Sequence, residues 1–73
     1  MHKQHCEPPT RVMVVRPLWA YRNDWTPLGV LAGGDFPIVD VVEDERGWCV
    51  LIELSNGQRA KLDGHDDTRF TLY

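Results

Sequence analysis

Trp19, Tyr21 and Trp25 fall within seven residues, with Arg22 among them, in a stretch broken by Pro17, Asn23-Asp24, Pro27 and Gly29. Rings crowded into a loop admit two readings. They fill a small core, because each ring buries much apolar area at little entropic cost. Or they line a groove for an extended or Pro-rich peptide, which docks its stiff backbone against aromatic faces. One ring inside and two at the surface would satisfy both. Arg59 and Lys61, further along the chain, would add charge to such a surface.

Other chemistry is poorly supported. His2, His5 and Cys6 form a His-x-x-His-Cys leader without the second ligand pair that a closed zinc site requires. The acids Asp63, Asp66 and Asp67 do not follow the spacing of an EF-hand loop. No glycine-rich phosphate loop occurs, since Gly33-Gly34 is only a turn. Ser55 lies in a turn with no base near it in sequence. Cys49 lies mid-strand, where a thiol is an inert small hydrophobe rather than a reactive thiolate. The expectation is a chain without enzymatic activity, cofactor or metal. Glu43-Asp44-Glu45 and the acids of 63–67 read as solvated turns, with a negative docking patch as the alternative.

The elements that would position these residues are strands. Residues 1–10 read as a disordered polar leader held extended by Pro8-Pro9. Residues 11–16 form a β-branched strand ending before Pro17, with Val12 and Val14 inward, although Met13 and Val15 would suit the opposite register. Residues 17–29 are then a long loop. A second strand runs 36–43, with Asp40 facing solvent between inward Val39 and Val41, or else buried and paired. Asp44-Glu45-Arg46-Gly47 turns the chain, Gly47 taking a positive φ. In 48–54 the even positions Trp48, Val50, Ile52 and Leu54 share one face. Asn56-Gly57 signals a type I′ turn. Strands follow at 58–62, with Arg59 and Lys61 outward and Ala60 and Leu62 inward, and at 68–73. The expected core is Val12, Val14, Leu31, Val39, Val41, Trp48, Val50, Ile52, Ala60, Leu62 and Phe70.

Five short strands with turn signals between them predict an all-β domain over 11–73, a small barrel or strongly bent sheet. Val14-Val15-Arg16, the loop 17–29, Leu31 through Gly34-Asp35, Gly47-Trp48 and Asn56-Gly57 resemble the bacterial Src-homology-3 family over about residues 12–62. Where members repeat Gly-Trp-Val after the Asn-Gly turn, this chain has Arg59-Ala60-Lys61. The resemblance implies a five-stranded Src-homology-3-like barrel and a habit of binding extended ligands. It implies neither catalysis nor, given that departure, cell-wall targeting.

Size and charge narrow the function. Seventy-three residues make one domain, and the net charge is −3. Acidity argues against nonspecific nucleic-acid binding, which relies on clustered Lys and Arg. No apolar run follows the N-terminus and none approaches membrane-spanning length, so a cytoplasmic chain with free thiols and no signal peptide is expected. The leading expectation is a protein-binding module with Trp19, Tyr21, Arg22, Trp25, Arg59 and Lys61 as its contact residues. By analogy of size, it would be a phage- or plasmid-type regulator docking on a host machine such as RNA polymerase or a defence nuclease. The alternatives are a nucleic-acid-binding barrel, in which Arg16 and Arg69 join the patch, and an accessory subunit of a larger enzyme.

Overall fold

A computed structural model describes residues 7–73. The expected leader residues 1–6, with His2, His5 and Cys6, lie outside it. The described residues form seven strands: β1 (Arg11–Val14), β2 (Leu18–Tyr21), β3 (Pro27–Leu31), β4 (Gly34–Asp44), β5 (Gly47–Glu53), β6 (Arg59–Asp63) and β7 (Phe70–Leu72). A single turn of 3₁₀ helix, Gly64–Asp66, precedes β7. All pairings are antiparallel. The sheet order is β3-β2-β6-β5-β4-β1-β7, so β3 and β7 are its edges. No helix among the described residues is long and apolar enough to cross a membrane.

The domain is all-β, but two expectations are corrected. Seven strands replace five, and the sheet is open rather than a closed barrel. Both extra strands come from the predicted loop 17–29. Leu18-Trp19-Ala20-Tyr21 alternates inward and outward, with Leu18 and Ala20 buried. Aromatic and small residues in place of a Val/Ile run hid this alternation. Pro27 opens β3 on the sheet edge, where a missing N–H costs no ladder bond.

One core cluster holds Val12, Val14, Leu18, Ala20, Val50, Ile52, Ala60, Leu62 and Phe70. Val12 and Val14 therefore settle the register of β1, leaving Met13 and Val15 outside. Leu31 and Trp48 pack half-buried against the cluster. Trp48 stands edge-on to Phe70, with ring centroids 6.0 Å apart. Its indole lies so close over Gly64 that a Cβ there would come within 2.5 Å of ring carbons. Val39 and Val41, expected inside, are instead 38% and 44% exposed. The register of β4 against β5 shifts between Ile38 and Asp40, and β4 then runs beyond the strand that would cover it. Asp40 is exposed, but the alternation that set it outward between inward Val39 and Val41 does not hold, since both valines are exposed too.

The Asn56-Gly57 turn is not type I′. Only Gly57 has positive φ, at 85°, where a type I′ turn needs both central residues there. Leu54 and Gln58 close the hairpin, with Leu54 N–H donating to the Gln58 carbonyl at 2.7 Å and Gly57 N–H to the Leu54 carbonyl at 2.9 Å. That is a type I turn followed by a left-handed residue. Thr10 joins the sheet: its N–H donates to the Tyr73 carbonyl, and its carbonyl accepts from Ile38 N–H, each at 2.9 Å.

Candidate functional site

The outward face of β2 carries Trp19 and Tyr21 on alternate positions. Tyr21 stands opposite Lys61 of β6, and Lys61 opposite Leu51 of β5. Trp25 rises from the β2–β3 loop beside Tyr21, ring centroids 5.3 Å apart and tilted 59°. Two cations lie against its indole. The Arg46 guanidinium carbon is 4.3 Å from the ring centroid and Lys61 Nζ is 4.8 Å away. Each such contact contributes about 0.5–1 kcal/mol at an exposed site.

Arg46 comes from the β4–β5 turn, and a carboxylate holds it. Its Nη2 donates to Asp63 Oδ2 at 3.0 Å. Asp63 Oδ1 accepts from the His65 N–H at 2.9 Å and faces His65 Nδ1 at 3.0 Å. Burial by itself would push the Asp63 carboxyl up. The hydrogen bonds from His65 and Arg46 outweigh it and hold the group below its ordinary value. Asp63 was expected to be a solvated loop acid. It is buried at the end of β6 and caps the 3₁₀ turn.

The structure therefore divides the predicted site. Tyr21, Trp25 and Lys61 come together, but as a strut rather than an open groove, because the chain's own cations cover Trp25. Trp19 stands on the same face without an aromatic neighbour among the described pairs. It is 50% exposed and pairs across the β2–β3 ladder with Val30, itself 54% exposed. A cleft of about 320 Å³ beside it is lined by Pro17, Leu18, Trp19, Val30, Asp66 and Arg69. Arg22 and Arg59 are exposed at the margin, Arg59 opposite Glu53. With Asp24 near Arg22 and Asp63 on Arg46, a phosphate backbone would meet nearly as many carboxylates as cations here.

Sequence reasoning missed Val30, Arg46 and Asp63. Val30 was legible only with β3 in place. Arg46 and Asp63 are 17 positions apart and meet only through the β4–β5–β6 meander. Cys49 is 1% exposed, and burial pushes its thiol up, away from the reactive thiolate. Among the described residues, no group of His, Cys, Asp and Glu is placed to hold a metal ion. No family model, curated protein or solved structure was found to match the chain.

Proposed function

We propose that this chain is a non-catalytic protein-binding module of Src-homology-3-like type, whose contact surface is the corner formed by β2 and β3. The observation that carries the reading is the Trp19–Val30 pair, two large apolar side chains half in water on adjacent positions of an edge hairpin. Exposed Trp is costly to solvate and is the residue most often found at the energetic centre of interfaces. The cleft beside it adds Pro17 and Leu18 as apolar walls and Arg69 and Asp66 as polar ones. Edge strand β3 adds a row of backbone groups with no partner strand on its outer side among the described residues.

Tyr21, Trp25 and Lys61 act in this reading as the brace that keeps the corner rigid, while Arg22 and Arg59 lie at its rim. A standard interface takes about 800 Å² from each partner, roughly a sixth of the 4923 Å² of this chain. A module this small works by docking on something larger, in line with a small regulator of a larger assembly.

The test is selection of ligands from a displayed random-peptide library, followed by titration of the winners against variants. Trp19→Ala should weaken selected peptides at least about tenfold, the loss expected of an interfacial Trp, and Arg59→Ala should change them little. Peptides that bind Trp19→Ala as tightly as the parent chain would refute the corner as the contact surface.

A further inference from the structure

Strand β4 runs on past its neighbour. β1 pairs with Gly34 through Pro37, and Thr10 adds one more bond, to Ile38. Further back the chain is Pro8-Pro9, which has no N–H to offer. On its other side β4 stays paired with β5 out to Asp44. Residues 39–44 therefore have one paired edge and one edge with no strand against it among the described residues.

That edge shows the mark of a missing acceptor. The Val41 N–H donates to Asp40 Oδ1 at 2.9 Å. A neighbouring side chain thus stands where the carbonyl of an added strand would stand. Beside the edge lies an apolar groove of about 600 Å³, walled by Pro8 and Pro9 on the N-terminal side and by Val39, Val41, Trp48 and Leu72 on the sheet side, so an added strand must pass alongside the two prolines. Val41 shares its face with buried Val50, so the groove continues the core side of the sheet.

The unpaired charge along it has one sign, because Arg46, the cation at the hairpin tip, is turned to Asp63 and Trp25. Asp40, Glu43, Asp44 and Glu45 follow the edge to the hairpin tip, and none of them forms an ion pair with a described residue. A second copy is a poor occupant. Antiparallel pairing of two β4 edges centred on Val41 puts Asp40 diagonal to Asp44 in both directions, and the register centred on Val42 sets Asp40 directly against Asp44. Like charges directly opposite destabilise a ladder.

We propose that residues 39–44 accept an extended segment of another protein as an added strand, one that alternates apolar residues with Lys or Arg. Its main chain would bond the bare edge, its apolar side chains would enter the groove, and its cations would meet the acidic rim. This surface lies at β4, beyond β6 and β5 from the Trp19 corner, and stands independently of it.

The probes are two blocked heptapeptides, Lys-Val-Lys-Val-Thr-Val-Lys and Glu-Val-Glu-Val-Thr-Val-Glu, titrated into the ¹⁵N-labelled full chain. The lysine peptide should shift and protect the amides of 39–44, with the glutamate peptide at least about tenfold weaker and affinity falling as salt rises. Val41→Lys changes an exposed side chain, so its unperturbed spectrum would confirm folding while its affinity for the lysine peptide drops at least about tenfold, one like charge in the groove. Equal binding of the two peptides overturns the proposal. So does protection confined to Pro27–Leu31, which would speak for the Trp19 corner instead, or protection of 39–44 that grows with protein concentration alone. Silence from both peptides up to about 1 mM, near −4 kcal/mol of binding, overturns it as well.

Discussion

Trp25 stands in its hairpin at the position that Gly57 holds in another. In the β2–β3 loop, Arg22 N–H donates to the Thr26 carbonyl at 2.7 Å and Trp25 N–H to the Arg22 carbonyl at 2.8 Å. In the β5–β6 loop, Leu54, Gly57 and Gln58 repeat both bonds. Asp24 and Asn56 match too, each accepting from the N–H two residues on, at 3.0 and 2.9 Å. The φ angles are 70° and 85°. The second hairpin uses the residue that adopts this conformation freely. The first uses a tryptophan, the only non-glycine at positive φ among the described residues. An L-residue there costs on the order of 1 kcal/mol or more. Stacking on Tyr21, Arg46 and Lys61 opposes that cost.

This relationship can be measured. Trp25→Ala and Trp25→Gly both remove the ring, but only alanine keeps the strained backbone. Trp25→Gly should be the more stable of the two by about 1 kcal/mol. Gly57→Ala should cost a similar amount, because nothing lies within 4 Å of the added Cβ and only the backbone is affected. Urea midpoints decide it, and equal stability of the two Trp25 variants would show the position to be unstrained.

Asp63 makes stability depend on pH. Its carboxyl titrates lower in the folded chain than in the unfolded one, so the folded state gives up this proton more readily. The stabilisation is complete above about pH 4, the unfolded value, and is lost as pH falls through the lower folded value. Asp63→Asn should flatten this part of the stability–pH curve. Its cost at pH 7 should add incompletely with that of Arg46→Ala, since the two share one bond.

Gly64 is a packing glycine. Its added Cβ would meet Trp48 ring carbons and the Trp48 carbonyl oxygen, each at 2.5 Å. Gly64→Ala should destabilise by about 1–3 kcal/mol, as overpacked sites do. Gly33→Ala is the control. Its Cβ would meet only the Val14 carbonyl oxygen, at 3.6 Å, and thermal melts should separate the two variants.

Leu18 and Trp19 test the alternation of β2 directly. Leu18→Ala should cost about 2–5 kcal/mol from the core. Trp19→Ala should stay within about 1 kcal/mol despite removing a larger side chain, because half of it is already in water. Denaturant titrations showing the reverse order would mean that β2 is in the wrong register.

Cys49 should resist a thiol-specific reagent at pH 8 in the native protein and react at once in denaturant, since burial lifts its pKa and closes access. A Cys6→Ser background isolates the signal. Fast native labelling would show that β5 is not covered at this point.

The sequence by itself determined the all-β class, the β4–β5–β6 meander and most of the core. The period of two in Val50 and Ile52, and again in Ala60 and Leu62, marks the face that enters the core, so their burial follows from local pattern, whereas the burial of Cys49 on the other face does not. It also placed glycine where the β5–β6 turn needs it. Tertiary structure alone decided the rest. Leu18 and Ala20 declared β2 only by what they pack against. Val39 and Val41 have the pattern of core residues but lie where β4 outruns β1, and no local rule states how long a neighbouring strand will be. The aromatic cluster was divided in the same way: Trp25 is braced by Arg46 because a distant turn and Asp63 meet over it, while Trp19 two strand positions from Tyr21 remains in water. Contacts between residues far apart in the chain depend on strand order and register, which side-chain periodicity does not encode.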